Sequence, residues 1–468
     1  MVAYKRLAQQ VEMQITDETR QAGDKMPSLR HFARQQSVSM TTAIRCYEYL
    51  QDRGYLTARA KSGFYVSLPL KADKTIEFIQ FNSEVTALTQ TLSSPYSSLK
   101  NARNSPFGTA QLSPQLLPAE PLQRCINRVM RKQNNSQFLY GGPQGSQTLR
   151  ETLAIHFSKQ GLTVQPQQLM ITSGCIDAVA LALETVSKPG DTIAITSPCY
   201  NGLLQLLALL DRQVIELPST PEGLDLDQLQ KLAETGVIKA CLITANHQNP
   251  TGHNLSVTQK QWLAAFAQQM EVPIIEDDVF GELSHQGPMP LPIKAWDQHG
   301  WVIWCSSVSK SLAPGLRLGW CQPGQFLSAM VKQQMVRTMG INQPLQEGLA
   351  EFINSGHYTR HLGHIKNQLL QQANQYRRYL TEHLPSSAVI SSPVGGMVLW
   401  IHMPGLDARK LAQSCELNQI AIRSGCAFSS RGLYQDHFRL NIGWPLDEVV
   451  KGQLDKLISL IEQVTLAP

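Results

Sequence analysis

The chain has 468 residues, of which 42% are hydrophobic and 16% are charged. These values predict a folded protein of two to four domains and exclude a chain that is disordered throughout. The longest nearly apolar run, residues 203–210, is too short to cross a bilayer, and residues 1–10 lack the apolar segment of a secretory signal. The nine cysteines include no C-x-x-C pair of the kind used in zinc or redox sites. We therefore expect a cytoplasmic protein without a membrane segment.

Positive charge is concentrated at the N-terminal end of the chain. Residues 1–67 carry ten Lys and Arg against six Asp and Glu, a net charge of +4, whereas the whole chain carries +5. A basic segment on a nearly neutral remainder predicts an anionic partner, and nucleic acid is the leading candidate. Charge alone favours a basic solvated face without such a partner.

The first part of this basic segment predicts a helix-turn-helix. Apolar residues recur at helical spacing from Tyr4 to Ile15. Ser28 is placed to cap a second helix, which the turn 37–39 separates from a third helix over 40–53. Two helices joined by a three-residue turn are typical of a helix-turn-helix, whose second helix enters the DNA major groove.

A hairpin is predicted after the third helix. Residues 55–59 and 64–66 have the pattern of two strands, and they flank Lys61, Ser62 and Gly63. The loop between the strands would form a basic wing beside the helix-turn-helix.

Four motifs carry a resemblance to a known family: Pro27-Ser28-Leu29-Arg30, Ser39-Met40-Thr41-Thr42, Gly54-Tyr55-Leu56 and Ser62-Gly63-Phe64-Tyr65-Val66. Together they resemble the winged helix-turn-helix of the GntR family, which implies contact with double-stranded DNA. The residues that we assign to this contact are Arg30, Ser39, Thr41, Thr42, Arg45, Lys61, Ser62 and Gly63. Where Met40 stands, the family commonly has an arginine. A three-helix accessory domain with no DNA role is the alternative.

Residues 68–110 predict a linker between two domains. The segment has no glycine before Gly108 and is rich in Ser, Thr, Gln and Asn. Its spacing permits a helix from Ile76 to Leu92, which Ser93-Ser94-Pro95 would end.

Apolar runs alternate with helical patterns from residue 111 onward. The predicted strands are 169–172, 192–196, 240–244, 272–276 and 301–305. This alternation predicts an α/β domain over 111–468 with a mostly parallel sheet. Ligands of such sheets lie beyond the carboxyl ends of the strands.

Two loops at predicted strand ends suit phosphate and carbonyl chemistry. Thr172-Ser173-Gly174-Cys175 would turn backbone N–H groups and a helix dipole toward an anion. In Ser307-Val308-Ser309-Lys310, the lysine follows an apolar strand and can form an imine with a carbonyl cofactor. Arg317 offers a planar fork for a phosphate. Taken singly, each motif also fits an ordinary turn or an exposed lysine.

Further motifs follow the same order along the chain: Pro198-Cys199-Tyr200, Asn249-Pro250-Thr251-Gly252, Asp277 on a strand, and Phe438-Arg439-Leu440-Asn441. With the two loops they resemble the fold-type I pyridoxal-phosphate enzymes of the class I and II aminotransferase group. The resemblance covers 111–468 and implies a pyridoxal-phosphate transferase fold, with a smaller C-terminal α+β part over about 350–468. It also implies pyridoxal 5'-phosphate as the cofactor.

The resemblance implies a role for each matching residue. Lys310 would be the catalytic residue that holds the cofactor as an internal aldimine, and Asp277 would pair with the pyridine nitrogen. Asn249 would hydrogen-bond the ring phenolate oxygen, and Tyr200 would stack on the ring. The residues implied to bind the phosphate are Ser173, Gly174, Cys175, Ser307, Ser309 and Arg317.

Two further roles reach beyond the cofactor. Tyr140 would contact the phosphate of a neighbouring subunit, which implies a homodimer, and Arg439 would clamp the α-carboxylate of an amino acid. Phe280 departs from the family, because many relatives have there a tyrosine whose hydroxyl touches the phenolate oxygen. Asp278 is the second candidate after Asp277, but strand alternation sends it to the opposite face.

Three histidines were weighed as site residues. We expect His247 at the surface or behind the first layer of the site. His361 and His364 have the spacing of a metal pair on a helix, but no third ligand is evident, so we expect both to face solvent and predict no metal site.

A winged helix joined through a linker to an aminotransferase-like body resembles the MocR-type subgroup of GntR regulators. This resemblance implies a bacterial, cytoplasmic transcription factor that senses pyridoxal phosphate, or an amino acid or amine, through external aldimine formation. A working aminotransferase that carries a DNA-binding appendage is the alternative, and transaminase activity stays open. A cofactor-storing protein is a third hypothesis, which the basic N-terminal segment disfavours.

Overall fold

The computed structural model of the protein describes residues 3–17, 19–20, 23–59, 62–67, 76, 78–88, 105–132, 139–220 and 223–466. Residues 3–67 are called the head below, and residues 105–466 are called the body. Within the described residues, no helix is both long enough and apolar enough to cross a membrane.

The head contains three helices and a two-stranded hairpin. Its elements are α1 Ala3–Thr16, α2 Leu29–Gln35, α3 Met40–Asp52, β1 Leu56–Arg59 and β2 Gly63–Val66. Ser28 Oγ accepts from His31 N at 3.3 Å and Ser39 Oγ accepts from Thr42 N at 3.1 Å, so α2 and α3 each begin at a serine cap. The predicted winged helix-turn-helix is therefore confirmed, and its core includes the fully buried Tyr47.

The body is built on a nine-stranded sheet, to which the segment 78–88 adds the edge strand β3 (Val85–Ala87). Its strands are β3 Val85–Ala87, β4 Met170–Thr172, β5 Thr192–Ser197, β6 Gln213–Thr220, β7 Gly223–Leu224, β8 Ile238–Ile243, β9 Ile274–Asp277, β10 Val302–Ser307 and β11 Gly319–Gln322. The order is β3-β6-β5-β8-β9-β10-β11-β4, with β7 paired to β6. Strands β6, β5, β8, β9 and β10 run parallel, whereas β3, β7 and β11 are antiparallel to the strands with which they pair. Every residue of β5 and β10 is buried, as expected for a sheet covered on both faces.

Helices cover this sheet and a second, smaller one. They are α4 Ala119–Lys132, α5 Gln147–Ser158, α6 Cys175–Val186, α7 Asn201–Leu209, α8 Leu226–Glu234, α9 Val257–Gln269, α10 Leu327–Thr338, α11 Gln343–Asn354, α12 His357–His383, α13 Ala408–Leu417 and α14 Glu448–Leu466. The small sheet has the order β12-β13-β15-β14. Its strands are β12 Val389–Ile390, β13 Val398–His402, β14 Arg423–Ser424 and β15 His437–Asn441. The predicted α/β body with a smaller C-terminal part is confirmed.

One predicted element is wrong. Residues 78–88 form no helix, and within them β3 pairs with β6 at the edge of the large sheet. Ser83 ties the same segment to the body, because its hydroxyl donates to Glu216 O at 2.6 Å. Tertiary pairing with β6 therefore decides the structure of this part of the predicted linker.

Candidate cofactor site and DNA-binding surface

The polar side chains of the body meet at one edge of the large sheet. Asp277 ends β9, Ser307 ends β10 and Ser173 follows β4. Tyr200 and Asn249 lie in the loops that follow β5 and β8. Since the carboxyl ends of these strands share one edge, the five residues border one cleft.

An anion cup lies where β4 leads into α6. Gly174 has a φ of 103°, and a Cβ at this position would lie 2.7 Å from Nη2 of Arg317. That guanidinium donates to Ser173 O at 2.8 Å and lies 3.5 Å from Ser309 Oγ, while Ser307 Oγ accepts from the Ser309 N–H at 3.3 Å. The first N–H groups of α6 lack intrahelical acceptors, so the cup suits a phosphate.

Asp277 is buried and faces this cleft. Its Oδ1 accepts from Cys175 Sγ at 3.1 Å and from Val279 N at 3.3 Å. Burial raises the pKa of Asp277, and these hydrogen bonds oppose the rise. Asp278 instead accepts from Trp304 Nε1 at 2.9 Å, away from Asp277's partners. The structure therefore separates the two candidates as strand alternation predicts.

Lys310 has an amine whose pKa is close to neutrality. Removal from water lowers the pKa of Lys310 to about 8; the cation of Arg439 reinforces the decrease and Asp277 opposes it. Its Nζ donates to Ala110 O at 2.6 Å and lies 6.0 Å from the centroid of the Phe280 ring. A lysine with a lowered pKa is a better nucleophile toward a carbonyl carbon.

Arg439 projects from β15 into the same cleft and is 2% exposed. It donates to Gly108 O, and its Nε is buried with no hydrogen-bond partner among the described residues. Burial lowers the pKa of Arg439 to about 9, and the neighbouring Arg423 reinforces the decrease. A buried guanidinium with an unsatisfied donor is suited to an anionic ligand.

The remaining cleft residues suit an aromatic ring with a polar substituent. Asn249 Oδ1 is buried and has no hydrogen-bond partner in the described part of the chain. Tyr200 is half-buried, and Gly202 leaves room for its ring, because a Cβ there would lie 2.5 Å from Tyr200 Cε1. The unpaired amide and the glycine-lined anion cup are the two features that fit pyridoxal phosphate.

Sequence reasoning missed several functional groups of the cleft. Cys175 was expected only among the phosphate-binding residues, yet its thiol donates to Asp277. The carbonyls of Gly108 and Ala110, at the end of the predicted linker, accept from the two cleft cations. Backbone carbonyl groups carry no sequence signal. Arg423, which lies opposite Arg439, could have been found only from the register of β14 against β15.

The histidine expectations are partly wrong. His361 is 6% exposed and its Nε2 lies 3.0 Å from Ser311 O, because this face of α12 packs against the loop that follows β10. His364 is exposed, as expected. His247 is 1% exposed, which excludes the surface position, and its Nε2 lies 3.0 Å from Ser284 Oγ.

One histidine cluster was not anticipated. His402, Asp436 and His437 hold ligand-type atoms within 4.8 Å of one another. Asp436 already bridges the pair, through Oδ2 to His402 at 2.9 Å and Oδ1 to His437 at 2.7 Å. These hydrogen bonds account for the cluster without a metal ion.

The head presents its predicted DNA-contacting side chains on an open surface. Arg30, Ser39, Thr41 and Arg45 are exposed around α2 and α3. Thr42 is half-buried, and its hydroxyl lies 2.8 Å from Ser39 Oγ. Helix α3 therefore exposes hydroxyl and guanidinium groups, while its apolar face is buried.

The wing is described in part. Gly63 has a φ of 105°, which favours glycine at the start of β2. Ser62 Oγ lies 2.6 Å from Tyr65 Oη, so the tip is braced against the strand. Lys61, the third predicted wing residue, lies outside the described residues.

Tyr140 is exposed to solvent. It is 82% exposed and follows Leu139, which is 70% exposed. Two neighbouring apolar side chains in solvent are suited to contact with another surface.

Comparisons with known proteins agree with this architecture. Residues 3–66 match the family of bacterial regulatory proteins described as the gntR family, and residues 107–451 match aminotransferase class I and II. The chain is 31% identical over 466 residues to the uncharacterized HTH-type transcriptional regulator YdcR of Escherichia coli (strain K12), covering 99% of this chain and 100% of YdcR. A kynurenine aminotransferase structure from Pyrococcus horikoshii, in complex with PMP, has a TM-score of 0.73 at 26% identity, covering 80% of this chain and 95% of that chain.

The fold and cleft define a class I and II aminotransferase domain, and the chain belongs to that family. Because a GntR helix-turn-helix precedes this domain, the protein is a transcriptional regulator of the fused GntR–aminotransferase architecture, consistent with the MocR-type subgroup. The GntR domain implies DNA binding, and membership in the aminotransferase family supports pyridoxal phosphate as the cofactor.

Proposed function

We propose that this regulator binds pyridoxal phosphate covalently at Lys310, and that an amino acid or amine which displaces this lysine changes the affinity for DNA. One observation carries the proposal. Lys310 donates to Ala110 O and Arg439 donates to Gly108 O, so both cleft cations hold the same segment, 105–111. This segment follows the chain that leads from the head. A ligand that takes over either cation would therefore alter the anchoring of that chain.

The cleft residues would divide the work of holding the cofactor. Asp277 would keep a proton at the pyridine nitrogen, Asn249 would hydrogen-bond the phenolate oxygen, and Tyr200 would cover one face of the ring. The groups that would bind the phosphate belong to Ser173, Gly174, Cys175, Ser307, Ser309 and Arg317. Bound pyridoxal phosphate supplies an electron sink for bonds at the amine carbon.

A homodimer is part of the proposal. In it, Tyr140, which is exposed, would contact the cofactor phosphate of a second copy. Two copies would present two heads, and their operator would contain two repeats whose spacing matches the separation of the heads. The exposed side chains of α2 and α3 and the wing would contact double-stranded DNA, in the cytoplasm of the cell.

Aminotransferase activity is the second candidate function. The pKa of about 8 at Lys310 and the buried cation of Arg439 favour it. Phe280 disfavours it, because its ring offers no hydroxyl to the phenolate oxygen. The regulator is the proposal that uses both halves of the chain.

The decisive experiment is a titration of labelled operator with the holo-protein, with and without candidate amino acids and amines. The operator is first located by footprinting on the DNA beside the protein's own gene. We expect one ligand to shift operator affinity in the wild type by about 5–150-fold, the range of a coupling of ~1–3 kcal/mol. Lys310→Ala should bind operator but not respond. A mutant that responds as the wild type does would show that displacement of Lys310 is not the signal.

A further inference from the structure

Two arginines lie side by side on the small sheet and face the cofactor cleft. Strands β14 and β15 are antiparallel, with Arg423 directly opposite Arg439 and Ser424 opposite Phe438. Phe438 and Leu440 point into the hydrophobic core of the C-terminal part. Since directly opposite residues share a face, Arg423 points with Arg439 to the side away from that core.

Neither arginine of this pair forms an ion pair within the part of the chain that the structure describes. Among the described residues, Arg423 forms neither an ion pair nor a hydrogen bond, and Arg439 donates only to the carbonyl of Gly108. Glu416 attracts Arg423 at a distance without forming an ion pair. Burial raises the pKa of Tyr200, and the cations of Arg439 and Arg423 both oppose the rise.

Two unpaired cations opposite each other are unfavourable in the ligand-free protein. Like charges at directly opposite positions of neighbouring strands destabilise a sheet, and burial adds to the penalty. Guanidiniums are suited to carboxylates, each of which can accept two parallel hydrogen bonds. One α-carboxylate would satisfy Arg439, and Arg423 would then stay without an anion.

We propose that Arg423 binds a second acid group, so that the ligand of this cleft is an amino acid with a carboxylate side chain. This inference rests on the proposed function of Arg439 and names the class of effector for the same site. The positions of the two arginines supply the reason: a dicarboxylic amino acid can present one carboxylate to each guanidinium.

The experiment compares ligands that differ only in charge. Purified holo-protein is titrated with L-glutamate and L-glutamine, and with L-aspartate and L-asparagine, while visible absorbance and the unfolding temperature are followed. We expect the wild type to bind the acid more tightly than the amide by about tenfold or more, the effect of one charge-assisted hydrogen bond. Equal affinities would overturn the inference without any variant.

Three variants test the residue itself. Arg423→Gln should bring the acid-to-amide ratio to about one, and Arg423→Lys should keep part of the preference because it keeps the charge. Arg409→Gln, which removes an exposed arginine of the same C-terminal part, should leave the ratio unchanged. A folded Arg423→Gln protein that keeps the wild-type ratio would overturn the assignment.

A different failure is equally informative. If Arg423→Gln weakens the acid and the amide by the same factor, Arg423 helps Arg439 to hold the α-carboxylate, and the second-acid inference is wrong. Operator titration is independent of this ratio. If the protein shows no preference for acids, the second-acid inference is wrong but the proposed regulation is unaffected. If no ligand shifts operator binding, the proposed regulation is wrong but the preference for acids can still be measured.

Discussion

The head and the body of this chain present their charged groups in opposite ways. In the head, Arg30 and Arg45 are exposed around a helix-turn-helix. In the body, Asp277 and Arg439 are 5% and 2% exposed, and burial shifts the pKa of both. The exposed cations of the head suit a large polyanion such as DNA, whereas the buried charges of the body suit a small ligand.

This difference predicts different responses to solution conditions. Binding of DNA through exposed cations releases counterions and weakens steeply with salt. Interactions inside a buried cleft are screened much less. Added salt should therefore weaken DNA binding by the head much more than ligand binding by the body. A change of pH should chiefly affect ligand binding by the body.

The largest expected effect is the loss of covalent cofactor attachment in the body. Lys310→Ala should lose covalent attachment completely, because the amine that forms the bond is gone. The measurement is visible absorbance of the holo-protein and its loss on borohydride reduction. Lys159→Ala, which removes an exposed lysine of the same body, should keep the signal. A reducible chromophore in Lys310→Ala would assign attachment to another lysine.

The second prediction concerns the rate of that attachment. Only the neutral amine attacks a carbonyl, and the pKa of Lys310 is about 8. The rate with which cofactor-free protein takes up pyridoxal phosphate should therefore fall about tenfold per pH unit below this value and level off above it. Stopped-flow absorbance measures it. Arg439→Gln removes a cation that lowers this pKa, so its midpoint should lie at higher pH; an unchanged midpoint would contradict the electrostatic coupling.

The third prediction tests the head. Arg30→Ala and Arg45→Ala should each weaken operator binding by about tenfold at low salt and reduce the slope of the salt dependence by about one if the residue contacts a phosphate. Fluorescence anisotropy at several salt concentrations gives both quantities. Arg409→Ala serves as the control because this exposed arginine lies in the body. Normal binding by both head variants would place the DNA-reading surface elsewhere.

Much of the fold was predictable because its signals are local. Ser28 and Ser39 precede helices and cap them, and buried runs such as 192–196 are strands of a parallel sheet. The prediction for the segment around β3 was wrong because this strand forms by pairing with β6, which lies more than a hundred residues away in sequence. Local spacing cannot contain that information.

The positions of the site residues were predictable where a sequence motif identifies them. The roles assigned to these residues remain predictions. Lys310, Asp277 and Asn249 belong to motifs at strand ends, and the structure brings them to one edge of the sheet. Arg423 gave no motif, because only the register of β14 against β15 places it beside Arg439. Site residues that are recognised only by their neighbour on the adjacent strand therefore cannot be identified without the structure.

The smallest expected effect concerns stability in acid. Burial lowers the pKa of His361 to about 4, with a further decrease from His364 and an opposing effect of the hydrogen bond to Ser311. The unfolded chain has a histidine pKa near 6.5, so between about pH 6.5 and about pH 4 the unfolded state binds more protons. The free energy of unfolding should therefore decrease as pH falls through this window.

His361→Gln removes the titration but keeps a side-chain donor for Ser311 O, so the acid loss should shrink by on the order of 1–3 kcal/mol. Thermal unfolding of the full chain at several pH values measures this as a difference of a few degrees. The exposed His299→Gln is the matched control and should follow the wild type. If His361→Gln keeps the full pH dependence, other buried histidines of the body, such as His247 with its pKa lowered to about 3, carry the effect instead.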